Sequence, residues 1–406
     1  MCRLRFLRTR SSRARKSGVS FCSRAAPIWR FPPRDFIMLL AVGNASGRVD
    51  VFGTYRLALA LTVMVHHLLS IPVIGQYAVF SFFVLSGFLM TAVMAGTYGY
   101  SPGGFLRFAT NRALRLYPAY FFAIALALIA IALCGETFAR GYRNAMFLPR
   151  DVETWAANLS MVFPRLTPYH FQPRLLPATW ALTVELVFYV LIGLGLSRTR
   201  RLSLAWLLGS LAYTGGMIVL GANYYDLYSL IPAGSLPFAA GACTWHWREE
   251  LSANLKRFMP LRPEFAMTAG LMWFLPFAVV DKFANIDAVR IAGLYLNIPL
   301  ASIVTLALFN VDRTHKMRRS DSFLGDYSYP VYLLHWPMGA LASWALLGKP
   351  VRGMSFASLS AFALALVLTF AASTAVVLVV DPVIKRLRNS IKRPDSRQPL
   401  PASIEG

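Results

Sequence analysis

The sequence predicts an all-α protein, a polytopic membrane helix bundle of about ten transmembrane helices with both termini cytoplasmic. Three observations predict it. Of 406 residues, 56% are hydrophobic and only 15% are charged, with a mean hydropathy of +0.51, which is too little charge for the surface of a soluble protein of this size. Apolar stretches repeatedly reach the roughly 20 residues that cross a bilayer. Lys and Arg cluster in every second loop, as the positive-inside rule requires. Hydrocarbon leaves a backbone only helices or a closed barrel, and the long unbroken apolar runs favour helices over alternating barrel strands.

The predicted spans, in order, are Val51–Ile71, Gln76–Ala95, Leu114–Leu133, Ala178–Leu196, Leu202–Gly221, Leu227–Trp247, Phe265–Val280, Ala288–Asn310, Phe323–Leu346 and Ser355–Val380. Each is near membrane length once tilt is allowed. Basic residues follow the even-numbered spans: Arg107, Arg112 and Arg115; Arg198, Arg200 and Arg201; Arg248, Lys256, Arg257 and Arg262; Arg313, Lys316, Arg318 and Arg319; Lys385, Arg386, Arg388, Lys392 and Arg393. The other loops are short or mixed in sign, carrying Gln76, Asp226, or Asp281 with Lys282. The exception is the long connection Gly135–Pro177, which faces outward on this count and mixes Arg140, Arg143, Arg165 and His170 with Trp155, Tyr169 and Phe171. A loop of that length is functional or carries elements of its own. A sugar surface and a membrane-interface belt both suit its aromatic content.

Residues 1–50 form a basic N-terminal tail, and residues 383–406 a second basic tail, both read as disordered. Between them, residues 51–382 form the membrane domain. Residues 1–37 hold ten Lys/Arg against a single acid, Asp35, out of a net charge of +23. Met38 is an alternative start, because the segment before it has no folding pattern. The charge has two readings: topology with attraction to anionic membrane lipid, or an anionic ligand at the cytoplasmic face. Nucleic acid is not an expected partner, since no ordered soluble domain is available to carry it. The four cysteines show no metal spacing and no paired framework, and no metal site is expected. No internal repeat of the transporter kind is visible.

The first span carries the most informative pair, Arg56 and His67. They are eleven residues apart, which turns a helix by about 1100°, within roughly 20° of three full turns, so both side chains share one face about 16 Å apart along the axis. Titratable groups inside a membrane are costly and usually mark function. A neutral imidazole can take a proton from a hydroxyl and return it to a leaving group. A buried histidine satisfied by a neighbour is the plainer reading.

Arg112 and Arg115 sit three apart and neighbour each other on a helix. They form either a phosphate or carboxylate site or a plain positive-inside anchor. Glu185, in Trp180-Ala181-Leu182-Thr183-Val184-Glu185, needs a partner inside the membrane. It could pair with an arginine or orient a histidine, and a structural ion pair is preferred over direct chemistry. Ser86-Gly87 suits close helix packing more than nucleophilic chemistry. His335 is a second intramembrane imidazole, suited to substrate contact or to a hydrogen bond between helices.

Arg56 with His67, Phe82-Phe83-Val84-Leu85-Ser86-Gly87-Phe88, Asn111-Arg112-Ala113-Leu114-Arg115-Leu116-Tyr117-Pro118, Trp180 to Glu185, and Leu324-Gly325-Asp326-Tyr327-Ser328-Tyr329-Pro330-Val331-Tyr332-Leu333-Leu334-His335 together resemble the acyltransferase 3 family of integral-membrane O-acyltransferases. The resemblance runs from about Val51 to about Val380. Five motifs in the right order are specific where one would be weak. The resemblance implies a multi-pass protein of a bacterial inner (plasma) membrane. It further implies transfer of an acyl group, often acetyl, from cytoplasmic acyl-CoA to a sugar hydroxyl of a glycan or glycolipid acceptor. Arg56 and His67 would be catalytic, Arg112 and Arg115 would bind acyl-CoA, and Trp180, Glu185, Ser86, Tyr332 and His335 would support them. The family's extracytoplasmic hydrolase-like domain, present in some members, is not expected here. Ala181 stands where Ser is commoner. The competing reading is a transporter of an anionic or lipid-linked sugar, and a weaker one is a scaffold for envelope assembly.

Overall fold

A computed structural model describes residues 52–258, 262–310 and 315–392. The N-terminal tail with Met38 and residues 393–406 lie outside the described residues, whereas 383–392, expected to be part of a disordered tail, are helical. Every regular element among the described residues is helical: α1 (Gly53–Leu68), α2 (Ile74–Val93), α3 (Pro102–Cys134), α4 (Glu136–Tyr142), α5 (Val152–Ser160), α6 (Trp180–Gly193), α7 (Arg200–Val219), α8 (Tyr224–Ser229), α9 (Ser235–His246), α10 (Arg248–Phe258), α11 (Pro263–Met272), α12 (Phe274–Ala284), α13 (Asp287–Phe309), α14 (His315–Leu347), α15 (Phe356–Ala375) and α16 (Asp381–Lys392).

The starts of these helices are written in the sequence. Ser101 accepts from the Gly104 amide with Pro102 in the first turn of α3, Asp151 accepts from Thr154 ahead of α5, and Thr199 and Ser355 cap α7 and α15 in the same way. Each supplies an acceptor to an otherwise orphaned amide. Helix α1 has no cap of its own. Asp321 of α14 provides one from across the bundle, accepting from the amides of Gly53 (2.7 Å) and Thr54 (3.0 Å) and from the Thr54 hydroxyl (2.6 Å). Its negative charge also suits the positive end of the α1 dipole.

Helix α1 lies against α14 and α2; α14 also meets α15 and α3, while α2 meets α9 and α13. Two crossings depend on missing side chains. A Cβ on Gly53 would stand 1.7 Å from the Asp321 carbonyl oxygen, and one on Gly325 would stand 2.6 Å from the Gly53 Cα. Likewise a Cβ on Gly87 would meet the Phe238 carbonyl oxygen at 2.1 Å, and one on Gly241 the Val84 carbonyl oxygen at 2.0 Å. The expectation that the Ser86-Gly87 stretch permits close helix approach therefore fits Gly87.

Six helical stretches among the described residues are long and apolar enough to cross a membrane: Ile74–Tyr98, Pro102–Cys134, Arg200–Val219, Pro263–Ala284, Asp287–Phe309 and Phe356–Ile391. Their outward faces are apolar, with Leu208, Leu211, Ile218 and Val367 exposed, which suits lipid rather than water. All ten sequence segments fall on helix, but not always on one. The segment Leu227–Trp247 is divided between α8 and α9, because a 3₁₀ turn at Pro232–Gly234 intervenes. The segment beginning at Ala178 yields only the 14-residue α6, entered through a 3₁₀ turn. Helix α3 begins at Pro102, well before Leu114, and runs through Pro118 without ending.

Candidate active site

Two cavities open at the two ends of α1. The larger, about 510 Å³, is lined by Arg56 of α1, Ser86 of α2, Arg112 and Arg115 of α3, Glu185 and Tyr189 of α6, Arg248 of α10, Tyr332 of α14 and Arg388 of α16. The smaller, about 270 Å³, is lined by His66, His67, Gln76, Arg143, Tyr169, Trp180, Tyr225, Tyr228 and Arg352.

In the arginine cavity, the i,i+3 pair Arg112 and Arg115 is joined by Arg388 from the far end of the chain. Arg388 Nε donates to Asn111 Oδ1 (3.2 Å) while Asn111 Nδ2 donates to the Arg388 carbonyl (3.2 Å). Asn111 is fully buried, so its amide group is committed to holding α16 in place. Glu185 departs from the expected ion pair: it accepts from the hydroxyls of Ser86 (2.7 Å) and Tyr189. These hydroxyls satisfy a carboxylate that would otherwise be costly to bury. Ser86 thus does more than pack, since its Oγ is a donor to Glu185.

In the histidine cavity, His66 Nδ1 donates to the Ile71 carbonyl (2.5 Å). That contact leaves Nε2 as the acceptor and fixes the ring. Gly75 makes the room, because a Cβ there would stand 2.4 Å from the His66 ring. His67 is half-buried and clasped by rings: His335 is stacked on it with centroids 5.3 Å apart, His66 lies at 4.7 Å and Trp336 at 4.9 Å. His335 itself is fully buried, lines neither cavity, and neither of its ring nitrogens meets a protein hydrogen-bond partner.

Helix α1 is continuous from Arg56 to His67, yet the two residues open into different cavities. The spacing that puts them on one face does not place them in one chamber. Neighbouring residues face the two sides. Trp180 faces the histidine cavity while Ala181 and Leu182 line the other. Tyr332 lines the arginine cavity, and His335, less than one helical turn on, is stacked on His67. Tyr332 is pinned there, its hydroxyl donating to the Ala178 carbonyl (2.7 Å) and its ring meeting Phe82 edge-on at 6.4 Å.

The long connection is a folded cap over the histidine cavity. Its centre is Arg174, only 1% exposed, whose guanidinium donates to the carbonyls of Pro177 (3.1 Å), Phe171 (2.5 Å) and Tyr169. Burial, and after it the charge of Arg143, push its pKa down to about 9. Asn158 closes the cap by donating to the Pro173 carbonyl (2.9 Å) and accepting from the Leu175 amide (2.8 Å). The cap presents Tyr169 and Arg143 to the cavity, with Arg143 Nη2 donating to the Tyr169 hydroxyl (2.9 Å).

Sequence reasoning does not single out His66, Arg143, Arg352 or Arg388 as site residues. His66 sits off the Arg56 stripe, and the other three reach their cavities from loops or elements remote in the chain. Only the outward position of Arg143 in a long polar and aromatic loop offered a signal.

The sequence matches an acyltransferase domain, that of the acyltransferase 3 family, over residues 49–378. Nodulation protein 10 of Rhizobium leguminosarum bv. viciae is 27% identical over 354 residues, covering 78% of this chain and 92% of that protein. No solved structure matches the chain. With most of its length matched, and with apolar membrane-length helices around two polar cavities, the chain belongs to the acyltransferase 3 family and is a membrane acyltransferase.

Proposed function

We propose that the protein is a multi-pass O-acyltransferase of a bacterial inner membrane. It moves an acyl group, acetyl in the simplest case, from acyl-CoA to a sugar hydroxyl of a cell-envelope or secreted glycan. The observation that carries this reading is the pair of cavities at the two ends of α1, which meet neighbouring residues of one helix start, Trp180 on one side and Ala181 on the other. One is lined by five arginines among the described residues, the other by two histidines and aromatic rings.

In this reading about ten helices cross the membrane, both termini are cytoplasmic, and the arginine cavity opens to the cytoplasm. Arg112, Arg115 and Arg388 hold the phosphates of acyl-CoA, since guanidiniums suit phosphate geometry. Arg56 stands deeper, along the path of the pantetheine arm. The thioester reaches the inner end of the cavity beside Tyr332, and the acceptor enters from the histidine side. The His67 imidazole takes the proton of the acceptor hydroxyl as its oxygen attacks the thioester carbon. The C–S bond breaks, and the imidazolium returns the proton to the leaving thiolate, giving acylated acceptor and free CoA. Exclusion of water from the reacting groups strengthens each of these contacts.

The test is incubation of membranes bearing the protein with radiolabelled acetyl-CoA. Label recovered in a glycan supports the reading. Sugar flux across vesicles with no transfer of label would instead identify a carrier of an anionic or lipid-linked sugar, and the acyl-CoA account would be abandoned.

A further inference from the structure

The histidine cavity carries a charge imbalance that general base chemistry does not require. Arg143 and Arg352 both line it, and no Asp or Glu is among its described lining residues. Neither arginine lies within ion-pair distance of a carboxylate among the described residues. Arg143 donates to the Tyr169 hydroxyl, and Arg352 reaches only the His67 carbonyl, at 3.4 Å. Arg143 Nε is buried and donates to no protein atom.

Both guanidiniums converge on one indole. Their carbons lie 5.2 Å (Arg143) and 5.3 Å (Arg352) from the centre of the Trp336 ring, which in turn lies against His67. Like charges gathered at one ring repel, and Arg143 is among the groups that lower the Arg352 pKa, after burial. Topology does not explain them either. Both lie in loops that the charge alternation assigns to the exterior, where Lys and Arg are ordinarily sparse. Two cations held together by aromatic rings with free donors form a receptor for an anion.

We propose, building on the acyl-transfer reading above, that the acceptor carries an anionic group, a carboxylate or a phosphate, close to the hydroxyl that is acylated. Arg143 and Arg352 bind that group at the cavity mouth. Tyr169, Trp180 and Tyr228 form the wall for the sugar ring, and the hydroxyl is delivered to His67. Arg143 comes from the folded cap and is oriented by Tyr169. Arg352 is exposed at the rim, where it can meet an incoming anion first.

The experiment measures equilibrium binding to the purified full-length protein in nanodiscs, so that its readout does not depend on turnover. Three probes are compared: p-nitrophenyl glucuronide, which carries a carboxylate on the sugar; glucose 1-phosphate, which carries a phosphate beside it; and neutral p-nitrophenyl glucoside. At least one anionic probe is expected to bind about tenfold more tightly than the neutral one at low salt, with the advantage shrinking as salt rises. Which anionic probe wins identifies the source of the charge. Arg143→Gln and Arg352→Gln are each expected to erase the advantage, and Arg143→Lys and Arg352→Lys to retain part of it, which separates lost charge from lost folding. Equal binding of charged and neutral probes, no binding of any, or an advantage that survives both glutamine variants would overturn the proposal. Acetyl-CoA thioester cleavage, followed in parallel, reports separately on the acyl-transfer reading: its absence alongside selective anion binding would sink that reading and leave the anion site standing.

Discussion

The arginine cavity and the histidine cavity differ in how they are made. The first is framed mainly by packed helices, α1, α2, α3, α6 and α14, with Arg248 and Arg388 added from α10 and α16, and its frame is locked by glycine crossings that leave no space for a methyl group. The second is assembled from helix ends and connections: the turn after α1, the start of α2, the cap around Arg174 and the loop bearing Arg352. A frame of packed helices suits a ligand that is the same in every reaction cycle, and acyl-CoA would be one. Loops suit the part that must match a particular acceptor. In this family member, then, donor recognition would sit in the rigid half and acceptor recognition in the half built from connections.

The largest expected effect tests the histidine side. His67→Ala should lower the rate of acyl transfer by about 10²–10⁴-fold, the usual worth of a general base, while protein accumulation in membranes and acetyl-CoA binding stay unchanged. Both are measurable on the same preparation. Retained turnover would mean that the comparison assigns chemistry to the wrong cavity. His66→Ala is the sharper companion. His66 is the better oriented imidazole, and if its loss costs more than that of His67, the two exchange roles.

The arginine side is tested by Arg388→Ala. Loss of one charged contact to phosphate should raise the KM for acetyl-CoA by about tenfold, leaving the acceptor KM unchanged, as steady-state kinetics in nanodiscs would show. A rise confined to the acceptor KM would reverse the assignment of donor and acceptor sides.

Rigidity itself is tested by Gly325→Ala. With the Gly53 backbone 2.6 Å from the new Cβ, α14 and α1 must separate, at a cost of about 1–3 kcal/mol, visible as a lower unfolding temperature in detergent. A substitution in the loop half, Gly353→Ala, meets no neighbouring atom but has a φ of +121°, so its cost is confined to local backbone strain and should leave the arginine cavity untouched. The cap of α1 is tested by Asp321→Asn. One carboxylate oxygen accepts from the Gly53 amide and the other from Thr54, so the amide keeps one acceptor and sets an NH2 against the other donor, at a cost of about 1–3 kcal/mol, read by the same unfolding assay.

What was legible in the sequence follows the same division. Hydropathy located the helices, and local spacing located Arg112 with Arg115 and Arg56 with His67, because each pair lies on a single helix where period alone decides the face. Spacing could not say that Arg56 and His67 open into separate cavities, since that depends on Tyr332 and Trp180 arriving from α14 and α6. Nor could it find Asp321 as the cap of α1, which joins residues 267 and 268 positions apart. The break between α8 and α9 was masked by an apolar run through Ile231 and Pro232, where hydropathy stays high while the backbone turns. Arg143, Arg352 and Arg388 were hidden for one shared reason: each looks like a loop or tail charge until the fold gathers it.

Helix α16 has a consequence in time as well as space. Arg388 belongs to the last helix described, and it joins Arg112 and Arg115 through its mutual bonds with Asn111, while Lys385 of the same helix donates to Asp326 (2.5 Å). A chain still emerging from the ribosome would hold its histidines in place and have an unfinished grip on the thioester donor. Such an enzyme would stay idle until α16 has been made and has docked, sparing the cell's acyl-CoA from half-built copies.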